Sequence, residues 1–323
     1  MPTRPPGRRV GAEPLMSTHV TRRSLRRRDV RKRRLGRLRR GGLLVLALSG
    51  VCTLFYPAVA DWFSTRDHVS EIQTHQRELA EIPPNEKAAT LERARNYNRD
   101  LVPAAIQDPF TVGGTEDATS GYHAELVASG NDVMARLTIP KISVDLPIYY
   151  GTSDDVLRRG VGHVFGSSLP VGGDGTHAVL TAHSGIVEAL LLTRLNEVAV
   201  GDRFTIDVFD ETLTYQVDDI RVVEPHETES LSITPGKDYV TLITCTPTGV
   251  NSHRLLVRAA RVEVPVEEAD DALRLRTDAG FPWWAVFLPL ALITVGMVVW
   301  RFTQESEPHT PPTVVRADDH PGG

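Results

Sequence analysis

The chain has 323 residues, 41% hydrophobic and 24% charged, which excludes a wholly disordered protein and a transporter of many spans. Two cysteines exclude a disulfide-stapled scaffold and a thiol-rich zinc module. The net charge of −5 conceals an asymmetry: residues 1–40 hold 15 Lys+Arg against Glu13 and Asp29, leaving 21 basic and 39 acidic residues elsewhere, a net of −18. The basic arm, 1–40, abuts residues 41–60, GGLLVLALSGVCTLFYPAVA, which carry no charge. About 20 apolar residues span a bilayer as a helix. The run is read as a retained membrane anchor, because its apolar core and basic lead are long for a cleaved signal. Ala58-Val59-Ala60 leaves cleavage as the alternative. The Arg-rich arm is read as a topology signal and anionic-lipid anchor, with the bilayer as partner and no nucleic acid.

Residues 61–280 form a 220-residue body, enough for one core burying roughly 70% of the unfolded surface. Within 61–132, the segment 64–101 predicts helices, with Val69, Ile72, Leu79 and Ile82 at near-helical spacing. Pro83-Pro84 breaks the run and Asn85 is placed as a cap. From 133 the hydrophobic period changes to two. Strands are expected over 133–140, 141–150, 177–183, 238–245 and 254–264. Phe204, Ile206 and Val208, then Leu213, Tyr215 and Val217, predict a hairpin across Asp210-Glu211. Many short strands with little helix between them suggest a closed barrel or a sandwich, placed at 133–265. A linker, 266–280, leads to a second uncharged run, 281–300, with Trp283, Trp284 and Trp300 near its ends, where indoles favour the interface. The tail is 301–323. Positive charge on the inside puts both termini in the cytoplasm and the body outside the cell membrane.

Cys52 lies in the first span, so Cys245 is the lone thiol of the body, without an intramolecular disulfide partner. It ends the apolar strand Tyr239-Val240-Thr241-Leu242-Ile243-Thr244, and Pro247 and Gly249 break the chain before Arg254 opens the next strand. If these strands pair, the guanidinium lies beside the thiol, where it favours thiolate and can hold an oxyanion. A base is needed, and the body offers His68, His75, His123, His163, His177, His183, His226 and His253. His183 ends an apolar strand and could meet Cys245 at one rim. His163 and His177 are read as loop or strand-edge polar residues, and His253 as facing away from Arg254.

The stretch Thr241-Leu242-Ile243-Thr244-Cys245, with Arg254 after it, resembles the sortase signature. HAVLTAHSG, 177–185, resembles the family's histidine strand. The segments 147-PIYYGTSDDVLRRGVGHVFGSSLPVGG-173 and 245-CTPTGVNSHRLLVR-258 are similar to class C sortases, the pilin polymerases. The likeness covers about 64–265. It implies a mainly β protein: a closed eight-stranded sortase-type barrel with N-terminal helices and a lid, flanked by two transmembrane helices. It implies Cys245 as nucleophile, His183 as general acid/base and Arg254 as the cation that positions substrate and oxyanion. Asp108-Pro109-Phe110, otherwise an ordinary turn, matches the family's lid, with Asp108 pairing Arg254 and Phe110 covering Cys245. The expected substrates are pilins with an LPxTG-like sorting signal, cleaved between Thr and Gly and joined to an acceptor Lys. No cofactor is expected, and no dense acidic cluster suggests a calcium site. Thr248 and Ser184 depart from the family pattern in ways expected to alter substrate contacts. With the family likeness, 32 Arg against 4 Lys suggests a GC-rich, Gram-positive source. The competing readings are a housekeeping sortase that anchors surface proteins to cell-wall peptide, a non-catalytic pilus-assembly scaffold and a papain-like protease. Arg as third member and a single barrel count against the last.

Overall fold

The computed structural model describes residues 22–102, 106, 108–110, 122, 125–126, 132–186, 189–263 and 280–304. Residues 1–21 of the basic arm, His123, most of the linker and the tail beyond 304 lie outside the described residues. The chain divides into two units. The described part of the smaller one is helical: the first part of α1 (Arg22–Glu81) and the part of α4 (Trp284–Gln304) from Phe287 on. Both helices are long and apolar enough to cross a membrane, with windows of mean hydropathy 2.1 and 2.0. Their large apolar side chains, Leu43, Leu46 and Leu54 on one and Phe287, Leu290 and Ile293 on the other, are exposed.

The larger unit, 54–286, holds the barrel and its helices. Helix α1 runs through the first span and the helical segment after it, with Pro57 inside it. Its buried stripe is His68, Ile72, His75 and Leu79, so histidines share the face with the aliphatic residues. Trp62 packs edge-on against Phe63 and Trp284, with centroids 5.0 and 6.0 Å away, and its Nε1 donates to the Gly280 carbonyl at 3.1 Å. Helix α2 (Pro84–Asp100) begins with Pro84 in its first turn, where a missing N–H costs nothing. The residue before it is Pro83, so Asn85 lies inside the helix and is not its cap. Leu91, Ala94 and Asn98 form its buried face. The Asn98 amide donates to the Leu169 carbonyl at 3.0 Å and its oxygen accepts from the Leu169 N–H at 2.7 Å, as a neighbouring strand would.

The strands are β1 (Val133–Ile139), β2 (Val144–Tyr150), β3 (Val161–His163), β4 (Thr176–Thr181), β5 (Arg203–Val208), β6 (Glu211–Val223), β7 (Asp238–Thr246) and β8 (His253–Arg261). They close in the order β1-β2-β3-β4-β7-β8-β6-β5, and β5 pairs back to β1. A six-residue helix, α3 (Asp154–Arg159), joins β2 to β3, and Ser153 caps it by accepting from the Val156 N–H. The barrel encloses one core cluster that includes Ala178, Leu180, Val240, Leu242, Leu255 and Val257. Alternate residues of the same strands, Val179, Ile243 and Leu256, point outward and form a second cluster with Val164 and Leu231. That outer patch is the floor beside the site.

The short strand β3 has no period of its own, and it carries His163 into full burial. The ring contacts the Tyr122 hydroxyl at 2.8 Å through Nδ1 and the Ser168 carbonyl at 2.8 Å through Nε2. His177 is also buried, with its ring at the Thr241 hydroxyl, 2.7 Å, and the Ser232 carbonyl, 3.0 Å. Both are satisfied buried histidines and not loop or edge residues. An isolated polar residue gives no sequence signal of the partners that let it be buried.

Candidate active site

Strands β7 and β8 pair antiparallel with Cys245 directly opposite Arg254 and Ile243 opposite Leu256. Directly opposed residues share a face. Alternation puts Thr241, Ile243 and Cys245 outward on β7, and Arg254 and Leu256 outward on β8. Strand β4 lies parallel to β7 on its other side, with Thr181 level with Ile243. Two residues further along, His183 and Cys245 reach the same rim.

Several short bonds hold the two strand ends together. Thr181 Oγ1 donates to the Ile243 carbonyl at 3.2 Å and Thr244 Oγ1 to the Ala182 carbonyl at 2.9 Å. Ser184 Oγ donates to the Cys245 carbonyl at 2.6 Å. Ser184 therefore ties the site's own strands together. The Thr248 methyl lies so close to Gly185 that a Cβ there would stand 2.5 Å from it, and Gly185 adopts φ +75°. A residue with a side chain at 185 would push the two strand ends apart.

The Asp108-Pro109-Phe110 segment lies across this rim. Asp108 accepts from Arg254 Nε and Nη2, each at 2.7 Å, in a bidentate pair whose side chains are 5% and 7% exposed. The remaining guanidinium nitrogen, Nη1, donates to the carbonyls of Asn251, 3.1 Å, and His253, 3.2 Å. The Phe110 ring lies 5.0 Å from the Arg254 guanidinium and 5.7 Å from the His183 ring, so it spans both. Phe110 and Ile106 also pack on the outer apolar patch.

Electrostatics set the resting protonation. Burial pushes the Cys245 thiol above its ordinary value; Arg254 pulls it down and Asp108 pushes it up. Burial holds the His183 imidazole below its ordinary value, and Asp154 pulls it back up. At neutral pH the pair rests as thiol and neutral imidazole. Asp108 keeps Arg254 protonated. A thiol, an imidazole and a cation on one half-dry rim can support covalent acyl transfer.

The structure brings together Cys245, Arg254, Asp108 and Phe110, with His183 under the same ring. His253 shares its rim but not its face, and His226 is exposed beside Glu224. Sequence reasoning missed Asp154, whose carboxylate lies 3.6 Å from His183 Nε2. It also missed Ser184 as a strand tie, although its place directly after His183 was a signal.

Residues 137–262 match the sortase domain family. Among solved structures the chain is similar to sortase C-1 from Actinomyces oris, at 48% identity and TM-score 0.54, covering 56% of this chain and 100% of that one. It is similar to the pilus-related sortase C of Group B Streptococcus at 39% identity and TM-score 0.55, covering 59% and 96%. Among curated proteins, sortase D of Bacillus subtilis is 28% identical over 145 residues, 44% of this chain and 70% of that protein. The chain belongs to the sortase family, the cysteine transpeptidases, and has class C sortases among its close structural relatives.

Proposed function

We propose that this chain is a membrane-anchored class C sortase that cleaves an LPxTG-like signal between Thr and Gly and joins pilins through Lys isopeptide bonds. The observation that carries the proposal is the segment Asp108-Pro109-Phe110 seated on Arg254, the cation that faces Cys245. The pilus-related relative supports the substrate class. The two apolar helices support a bilayer anchor, with the basic arm, 1–40, and the tail, 301–323, in the cytoplasm and the catalytic domain, 133–265, outside.

In this mechanism the lid swings away and frees Arg254. Loss of Asp108 from the rim also lowers the thiol's pKa, so one motion grants both access and reactivity. His183 takes the Cys245 proton and the thiolate attacks the Thr carbonyl. Arg254 holds the tetrahedral oxyanion. As the C–N bond to Gly breaks, His183 returns the proton to the departing amine, leaving a thioester on Cys245. A Lys amine of a second pilin attacks the thioester and gives its proton through His183 to the expelled thiolate, and the isopeptide bond is made. The anchors keep enzyme and emerging pilins in one plane and raise their effective concentration.

The test is to incubate the full-length chain in detergent with a sorting-signal peptide and look for a peptide-sized acyl adduct on Cys245 by mass spectrometry. Incubation with pilin alone should give covalent ladders. An adduct with no ladders, and transfer to a cell-wall peptide amine instead, supports the housekeeping alternative. No adduct, together with assembly by Cys245→Ala, supports the scaffold.

A further inference from the structure

His183 has a second neighbour besides Phe110. Its Nε2 lies 3.6 Å from Asp154 Oδ1, and Asp154 Oδ2 accepts from Arg158 Nε at 2.8 Å. Asp154 opens α3, and α3 is held firmly from below. Arg159 Nη2 donates to Glu71 Oε1 of α1 at 3.3 Å, and its guanidinium lies 4.5 Å over the Tyr149 ring. The Tyr149 hydroxyl donates to the same Glu71. The glycines after α3 admit no side chain. A Cβ on Gly160 would stand 2.8 Å from the Pro147 carbonyl oxygen, and one on Gly162 would stand 2.4 Å from that of Gly151. The helix is thus pressed against β2 and clamped to α1, and the carboxylate at its start is presented to His183 from a fixed base.

We propose that Asp154 is a positioning residue for His183. Its carboxylate accepts the Nε2 proton and selects the tautomer whose Nδ1 lone pair is available to the Cys245 thiol. When Nδ1 takes the thiol proton, Asp154 stays ionised and favours the imidazolium. The inference rests on His183 being the general acid/base. The charged groups around His183 are Asp154 and Arg158 from α3, and Arg254 with its partner Asp108 across the rim. Arg158 opposes Asp154, and the carboxylate is exposed, so the effect is far smaller than that of a buried triad carboxylate.

The experiment follows cleavage of a sorting-signal peptide by the full-length chain in detergent across pH, for the parent, Asp154→Asn, Asp154→Glu, Asp155→Asn and His183→Ala. Asp154→Asn should lower kcat by about fivefold with little change in KM. The acid limb of kcat/KM should move to lower pH, because a carboxylate that raises the imidazole's pKa has gone. Asp154→Glu should restore most of the rate. Asp155→Asn, the same charge change one residue away, should match the parent. An unchanged kcat and acid limb in Asp154→Asn overturns the inference, as does an equal shift in Asp155→Asn, which would mean a general field effect. Parental turnover in His183→Ala would overturn the assignment of His183 itself, a different failure that this variant alone reports.

Discussion

Two kinds of attachment hold the N-terminal segments to the barrel. Helix α2 is attached through Leu91, Ala94 and the reciprocal Asn98 bonds to Leu169, and its ion pairs to the β5–β6 hairpin lie at the surface. Lys87 to Asp210 is 12% and 63% exposed, and Arg95 to Glu211 is 36% at both ends. Asp108 and Arg254 invert that arrangement: there the ion pair itself is buried. Burying apolar area stabilises a contact at about 25 cal/mol per Å² and is not recovered on opening. A buried ion pair recovers hydration when it opens, so its net contribution lies near zero. On the proposed lid reading, the α2 dock stays in place while the Asp108 contact opens. Tyr122, fully buried against His163 and Gly151 N, fixes the chain again on the far side. The proposed lid contact therefore lies between two buried docks.

The largest expected effect breaks the comparison outright. If the contact guards a nucleophile, Cys245→Ala should reduce peptide cleavage by about 10⁴-fold or more, while Tm barely moves. Residual cleavage within tenfold of the parent would leave the contact guarding nothing.

The permanent docks are tested through pH and by truncation. His163 is fully buried and its pKa is lowered to about 4. Its neutral form is the folded one, so its contribution is complete above the unfolded value of about 6.5 and is lost as pH falls from there through about 4. The loss reaches about 3 kcal/mol. His68 and His177 are shifted in the same direction. Thermal melts of the parent should fall steeply between pH 6.5 and 4.5, and His163→Gln should melt lower at neutral pH with a shallower acid slope. An equal slope in both would remove His163 from the dock. Asn98→Ala leaves the Leu169 backbone groups unpaired and should cost about 2 kcal/mol in denaturant melts.

The proposed lid contact gives the opposite pattern. Asp108→Ala with Phe110→Ala should raise the rate of Cys245 alkylation by about tenfold, a readout that the dock variants should leave unchanged, although losing Arg254's buried partner also costs stability. Unchanged labelling would end the lid proposal. The smallest effect sharpens the other arm. Lys87→Ala should cost under about 1 kcal/mol, because its partner is exposed. A loss as large as that of Asn98→Ala would mean that charge, and not buried contact, holds α2.

Seven of the eight strands were legible because alternation survives in the sequence wherever one face is buried. The opposition of Cys245 and Arg254 was legible for a related reason: each stands at the end of an apolar run, and one tight loop joins the runs. β3 is only three residues long, too short to show a period, so nothing in the sequence signalled that His163 is buried. Asn98 read as one more polar residue on a charged helix. Asp154 stands 29 positions before His183, in a segment with no chemical signature of its own.

The amino-acid order by itself determined the apolar helices, the change of period at 133 and the residue types needed for acyl transfer, since each depends on neighbours within a few positions. Only tertiary structure decided the rest: that β4 lies parallel to β7 and brings His183 to the thiol's rim, that Asp108 spends its charge on Arg254, and that α3 presents Asp154 to an imidazole. Those contacts join residues 29 to 146 positions apart, and nothing in a local pattern encodes which distant surface a side chain will meet.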